Sequence, residues 1–310
     1  MAAIKKVILI GAGGNVGPWI LKALDEDPDF EVSILARKSS KSTYPSNVMV
    51  HHVDDSYPDD QVSEAFQGQD AVVCSMNTSQ VMRQINFIDL AVKAGVKWFV
   101  PAEFGGNKAK SHLGVKTPMF DAKESVHKHL MEMEKSGLCW TAVATGAFLD
   151  WGLSNGFLGF DIEARRAKVY DSGDEHWTGT KLPTIGLAVA RLFKTPEKVK
   201  NRFIYIYSTR TSQNEILRAF ETATGKKWDV EHVKFDDEVA AGQELMKQGN
   251  RLGIVPLILS SFFREKMGAD FTRATEADND ILGLPVENVE DVVREVLAWP
   301  ESMIESARLV

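Results

Sequence analysis

The chain has 310 residues, 44% of them apolar and 25% charged, with a net charge of −7. That is enough apolar material to build a core, and it excludes a disordered chain. The acidic balance opposes contact with phosphate backbones, so no nucleic-acid partner is expected.

The only cysteines, Cys74 and Cys139, lie in apolar stretches and read as buried free thiols of a reducing compartment. No apolar run approaches the roughly 20 residues that span a bilayer. The longest, Ile254 to Phe263, carries Pro256. The start of the chain lacks the apolar core of a secretory signal. A cytoplasmic protein without a membrane partner is the expectation.

In chain order, strands and helices alternate. Val7–Ile10 is a continuous apolar run, as in a strand buried on both faces. A helix pattern covers about Asn15 to Asp25, then Glu31–Ala36 and Asn47–Val53 read as strands. A helix around Gln61 to Phe66 precedes the strand Asp70–Ser75. From Gln80 to Ala94, Val81, Ile85, Ile88 and Val92 share one helical face, with Gly95 as the stop. Lys97–Val100 is a fifth strand. Thr117-Pro118 starts a helix that runs to about Lys135, and Cys139–Ala144 is a sixth strand. This alternation predicts an α/β fold, a doubly wound parallel (Rossmann) sheet.

After Gly146 the rhythm breaks. Glycines and aromatics predict irregular packing to about residue 181. A helix at Ile185–Phe193 and a strand at Phe203–Tyr207 then return to the sheet, and mostly helix is expected from Ser212 onward. The predicted division is residues 1–150 as the Rossmann domain with returning segments at about 182–208. Residues 151–181 and 209–310 form a smaller, mostly helical substrate domain.

Gly11-Ala12-Gly13-Gly14-Asn15-Val16-Gly17 lies between the first strand and the first helix. The first glycine permits the tight turn, Gly13 and Gly14 let backbone N–H groups approach a pyrophosphate, and Gly17 packs helix on sheet. Gly11, Gly13, Gly14, Asn15, Val16 and Gly17 are therefore candidate cofactor residues. At the end of the second strand, where an NAD enzyme carries Asp or Glu, stand Arg37 and Lys38. Their charge suits a 2′-phosphate, so the expected cofactor is NADPH. Several roles stay open for Asp54, after the third strand: an adenine contact, orienting the loop, or a plain turn. Ser75, Met76 and Asn77 follow the fourth strand, and ligands bind at strand carboxyl ends in this architecture. The same logic exposes Phe104, Gly146 and Phe148 after the fifth and sixth strands.

The glycine turn, Ala36-Arg37-Lys38, Pro101-Ala102-Glu103-Phe104-Gly105 and Phe120-Asp121-Ala122-Lys123 together resemble the NmrA-like, isoflavone-reductase-like family of atypical short-chain dehydrogenases. Ala94–Val100 and Leu282-Gly283-Leu284-Pro285 are similar too. The resemblance implies that Lys123 is the catalytic lysine, assisting proton movement and contacting the nicotinamide ribose while NADPH delivers hydride. No tyrosine has a lysine four residues later, as in that branch. On a helical wheel Lys123 lies ~40° from Met119 and ~20° from Leu130, close to an apolar stripe. Thr184-Ile185-Gly186 and Gly106-Asn107-Lys108 depart from the family pattern, and both departures bear on substrate more than on cofactor.

The seven histidines form no spaced metal motif, and no metal is expected. His176 borders the region expected near substrate. Phe104, Phe148, Trp151 and His176 are the candidate substrate residues. The resulting reading is an NADPH-dependent reductase of a small aromatic or polyketide-like molecule. The alternative is a non-catalytic NADP(H) sensor that binds a protein partner, a branch in which the lysine tends to be missing. Monomer and homodimer both remain open.

Overall fold

The computed structural model describes residues 3–106, 118–274 and 277–300. The expected helix start at Thr117, and Asn107-Lys108 of the second departure, lie outside the described residues.

The first half follows the alternation. Strand β1 (Lys6–Ile10) turns at the glycines into α1 (Gly17–Asp25), and β2 (Glu31–Arg37) and β3 (Met49–Val53) follow. Then come α2 (Asp59–Phe66), β4 (Ala71–Cys74), α3 (Gln84–Lys93), β5 (Trp98–Val100), α4 (Pro118–Met133) and β6 (Cys139–Ala144). The helix expected over Gln80–Ala94 divides into a 3₁₀ segment, Thr78–Arg83, and α3.

The second half alternates less regularly. It contains β7 (Ala147–Phe148), α5 (Leu149–Ser154), β8 (Phe160–Asp161), β9 (Arg166–Tyr170), β10 (Trp177–Thr180) and α6 (Leu182–Leu192). After α7 (Pro196–Val199) come β11 (Arg202–Tyr205), β12 (Thr209–Thr211), α8 (Gln213–Thr224) and β13 (Asp229–Val233). The chain then runs through α9 (Phe235–Lys247), α10 (Ile254–Phe263), α11 (Phe271–Ala274), α12 (Asn279–Leu282) and α13 (Val289–Leu297).

Seven strands form one parallel sheet in the order β11-β6-β5-β4-β1-β2-β3. The chain works outward from β1 to β3, then returns to the other side of β1 at β4. That reversal opens a crevice at the carboxyl ends of β1 and β4, where this architecture places ligands.

Alternation along β1 explains its unbroken apolar run. Val7 and Leu9 pack with Ile20, Leu24, Ile185 and Val189 of α1 and α6. Ile8 and Ile10 pack on the opposite face with Val62, Phe66, Phe87 and Leu130 of α2, α3 and α4. Each fully buried side chain of this kind contributes about 1.5–3 kcal/mol. Gly186 lets α6 lie directly on α1, because a Cβ there would come within 2.6 Å of the Trp19 carbonyl carbon. The glycine of the Thr184-Ile185-Gly186 segment therefore has a packing role beneath the glycine turn.

Helix dominates from Ser212 onward, while residues 147–181, expected to pack irregularly, contribute short strands. Together these regions carry two three-stranded sheets, β12-β10-β7 and β13-β9-β8. Three of those strands have only two or three residues, too short for a period of two to register in sequence. A third core, including Phe160, Trp177, Phe220, Trp228, Phe235 and Phe263, joins them to the C-terminal helices. Cys74 and Cys139 are buried free thiols. Among the described residues no helix is long and apolar enough to cross a membrane, and no cluster of His, Cys, Asp or Glu could hold a metal ion.

Candidate active site

The crevice begins at the glycine turn. Gly11 has φ +85°, and a Cβ on it would stand 2.7 Å from the Ser75 carbonyl oxygen, so β1 and β4 meet there without room for a side chain. Ser75 Oγ donates to the carbonyls of Ile10 and Gly11 at 3.0 Å each. Gly14 N–H closes the turn onto Gly11 O at 3.0 Å. At Gly17 a Cβ would lie 2.7 Å from the Ala12 Cα, which fixes how closely α1 follows the turn. Gly13, Gly14 and Asn15 are exposed, while Val16 and Gly17 are buried. Helix α1 has no side-chain cap and no acidic residue in its first turn. Its N-terminal N–H groups and positive dipole end thus meet no internal anion, and this chemistry fits a pyrophosphate.

At the end of β2, Arg37 is exposed and forms no ion pair among the described residues. Lys38 is placed differently from the sequence expectation. Its Nζ donates to Asp54 Oδ1 at 2.7 Å. Asp54 also takes a 2.7 Å hydrogen bond from Gln61 Nε2, and its N–H donates to Gln61 Oε1. The Lys38 ammonium holds the Asp54 carboxyl below the usual carboxylate range, assisted by Gln61. Of the roles left open for Asp54, these contacts supply the loop-orienting one. The Lys38–Asp54 pair is exposed and adds little net stability, and Arg37 beside it has no ion-pair partner among the described residues. Met76 is half-buried and Asn77 exposed beyond β4, where Asn77 Oδ1 accepts from Ser79 Oγ.

Lys123 of α4 stands at the carboxyl ends of β5 and β6. Ala102 N–H donates to the buried Gln84 side chain at 2.8 Å. Gly105 bridges to Ala144, and its carbonyl accepts the N–H groups of Thr145 and Gly146 at 3.0 Å each. Against this tied loop lies Lys123 of α4, whose Nζ donates to the Glu103 carbonyl and stands 3.7 Å from Glu103 Oε1. The two side chains are 13% and 12% exposed, so the pair is largely removed from water yet still reachable. Val126 and Leu130 of the same helix are buried in the core, and the lysine sits beside that apolar stripe.

Of the candidate substrate residues, Phe104 and Phe148 are half-buried. Phe104 takes φ +27°, an unfavourable backbone for a bulky side chain. Phe148 ends β7, paired through Thr180 to β10. Gly146, at φ +60°, makes the turn that leads there. Trp151 is only 8% exposed. Its ring packs against Phe148 at 6.3 Å and Phe157 at 5.4 Å, so it backs Phe148 from within the core. His176 Nε2 lies 3.3 Å from Glu215 Oε1, and Glu215 belongs to the capping box of α8. The structure gives His176 that helix-end partner and no contact with Lys123 among the described residues.

Two residues of this region had no role in the sequence reading. Glu103 lies inside a quoted motif, but its pairing with a lysine twenty positions later has no local signal. Asp150 is 3% exposed. It accepts the N–H of Trp151 at 2.9 Å and that of Leu182 at 3.0 Å, capping α6. Burial pushes its carboxyl up to about 6, against the lowering effect of those N–H groups and of nearby Lys181.

The NmrA-like family profile matches residues 3–247. The chain is 40% identical to the oxidoreductase aprR of Aspergillus flavus over 293 residues, 94% of this chain and 98% of that protein. It is 30% identical to the oxidoreductase poxI of Penicillium oxalicum, over 92% of each chain. Among solved structures, the leucoanthocyanidin reductase–NADPH binary complex from Vitis vinifera is similar at TM-score 0.74 and 18% identity, covering 95% of this chain and 100% of that one. An isoflavone reductase is similar at TM-score 0.73 and 17% identity, covering 94% and 99%. The sheet, the glycine turn and these likenesses agree: the chain belongs to the NmrA-like family, among relatives named oxidoreductases.

Proposed function

We propose that the chain is an NADPH-dependent reductase acting on a small aromatic or polyketide-like molecule, with Lys123 as the proton-handling residue. One observation carries the reading. A largely buried lysine stands at the ends of β5 and β6, on the same sheet edge as a glycine turn whose helix end is left open to an anion. The oxidoreductase relatives and the NADPH complex of the like-folded reductase support it.

Bound NADPH supplies the hydride. The main chain of Gly13, Gly14, Asn15, Val16 and Gly17 receives the pyrophosphate, and Arg37 meets the 2′-phosphate. Ser75, Met76 and Asn77 border the cofactor at the β4 end, with Gly146 and Phe148 bordering it at the β6 end. Half-buried Phe104 and Phe148 offer flat apolar faces to an aromatic substrate. Lys123 carries the proton that balances hydride addition, from an ammonium held close to the reacting atom.

The cofactor assignment has a direct check. NADPH binds wild type more tightly than NADH, and Arg37→Ala weakens NADPH about 10- to 100-fold, the value of hydrogen bonds to a charged phosphate. The same substitution leaves NADH almost unchanged. Fluorescence titration of both cofactors measures this, and equal wild-type affinity for the two would remove the 2′-phosphate assignment.

A further inference from the structure

We propose that Glu103 is the positioning residue of Lys123: its side-chain carboxylate and its own main-chain carbonyl together aim the ammonium from the end of β5. The inference rests on the reading of Lys123 given above. A lysine side chain is a flexible four-carbon stem with three rotatable donors. Proton transfer needs that donor in one place, and a 1 Å misplacement can cost about 100-fold in rate. Here one residue supplies both partners: the Glu103 carbonyl accepts the hydrogen bond from Lys123 Nζ, and Glu103 Oε1 stands 3.7 Å from it as the ion-pair partner.

The backbone around Glu103 supports this use. Glu103 N–H folds back to Pro101 O at 2.8 Å, and the next residue, Phe104, takes φ +27°. A bulky residue in that conformation is strained and persists only where its surroundings enforce it. The enforcing contacts are present on both sides: Gln84 holds Ala102, and Ala144, Thr145 and Gly146 hold Gly105. A Cβ at Gly105 would stand 3.3 Å from Glu103 O and 3.4 Å from Lys123 Nζ, so Gly105 lies directly beside the ammonium and its acceptor. The strained turn therefore presents the carbonyl and the carboxylate of one residue to the same lysine.

Two readouts on the full chain test this. The first needs no substrate. Limiting acetic anhydride labels lysines, and mass spectrometry compares Lys123 with exposed Lys128 on the same helix. Glu103→Gln should raise the Lys123-to-Lys128 labelling ratio about tenfold, at an unchanged melting temperature, because the ammonium loses its charged partner. An unchanged ratio overturns the positioning role.

The second is a kcat cycle over wild type, Glu103→Gln, Lys123→Ala and the double variant. NADPH oxidation is followed with the fastest member of a panel of aryl ketones and aromatic enones. Glu103→Gln should lower kcat about 10- to 100-fold with NADPH affinity kept, and should lower it no further in the Lys123→Ala background. Glu103→Asp, which keeps the charge, should recover part of the loss. An equal loss in both backgrounds makes Glu103 a structural residue of the loop and overturns the proposal. If labelling changes as expected but Lys123→Ala keeps full kcat, the contact stands and the catalytic reading of Lys123 is what fails.

Discussion

Replacing Lys123 by alanine is expected to lower kcat by about 10²- to 10⁴-fold, the usual range for removing a positioned acid or base. NADPH affinity should hold, because the glycine turn and Arg37 lie on other strands. The physical ground is the placement of the ammonium. At 13% side-chain exposure and with Glu103 beside it, Lys123 is not a solvated surface lysine, whose loss would change the rate little. Steady-state kinetics with parallel cofactor titration separates the outcomes. A variant with wild-type kcat would return Lys123 to a structural role, and a variant that loses NADPH binding would make it a cofactor residue first.

Asp150 predicts an effect of comparable free energy on stability. Burial raises its carboxyl from an ordinary value of 3.8 to about 6 in the folded chain. The folded state therefore holds its proton more tightly than the unfolded state does. The associated stability is fully present below about 3.8 and is lost as pH rises through about 6. At 1.36 kcal/mol per unit, the whole contribution is about 3 kcal/mol. Between pH 7 and pH 5 wild type should gain about 1 kcal/mol relative to Asp150→Asn, which cannot titrate. Urea unfolding of both proteins across that range measures the difference. A difference independent of pH would show that Asp150 titrates as an ordinary carboxylate.

The effect would reach the site through two N–H groups, because Asp150 ties Trp151, behind Phe148, to the start of α6 at Leu182. Helix α6 lies on α1 at Gly186, beneath the glycine turn.

Much of the first half was legible in the sequence, for reasons visible in the packing. Strand β1 is apolar without a break because α1 and α6 cover one face while α2, α3 and α4 cover the other. The glycines of the turn are required by backbone approaches, Gly11 to Ser75 and Gly17 to Ala12, so their spacing carries structural information before any ligand is considered. The small sheets after Gly146 were not legible. A two-residue strand such as β7 or β8 has no periodicity, and it exists only because β10 or β9 lies alongside it.

Side-chain pairing was the other hidden layer. Lys38 reads as a phosphate ligand from its place after β2, yet Asp54 claims its ammonium in the folded chain. Trp151 reads as a substrate residue from its place after β6, but the same register turns it into the core behind Phe148. The partner of Lys123 is legible only once β5 and α4 are brought together. Position in the fold can be read locally, whereas the partner of a charge depends on the tertiary contact.

In the proposed reaction, one sheet edge binds NADPH and its hydride passes to a small aromatic molecule with help from Lys123. The most direct measurement is loss of absorbance at the nicotinamide band when the full chain and NADPH meet a broad panel of aryl ketones, aromatic enones and benzylic ethers. Wild type should show substrate-dependent NADPH oxidation that nearly vanishes in Lys123→Ala, with cofactor binding intact in both. Tight NADPH binding with no turnover across the panel would contradict it and would leave a nucleotide sensor in place of an enzyme.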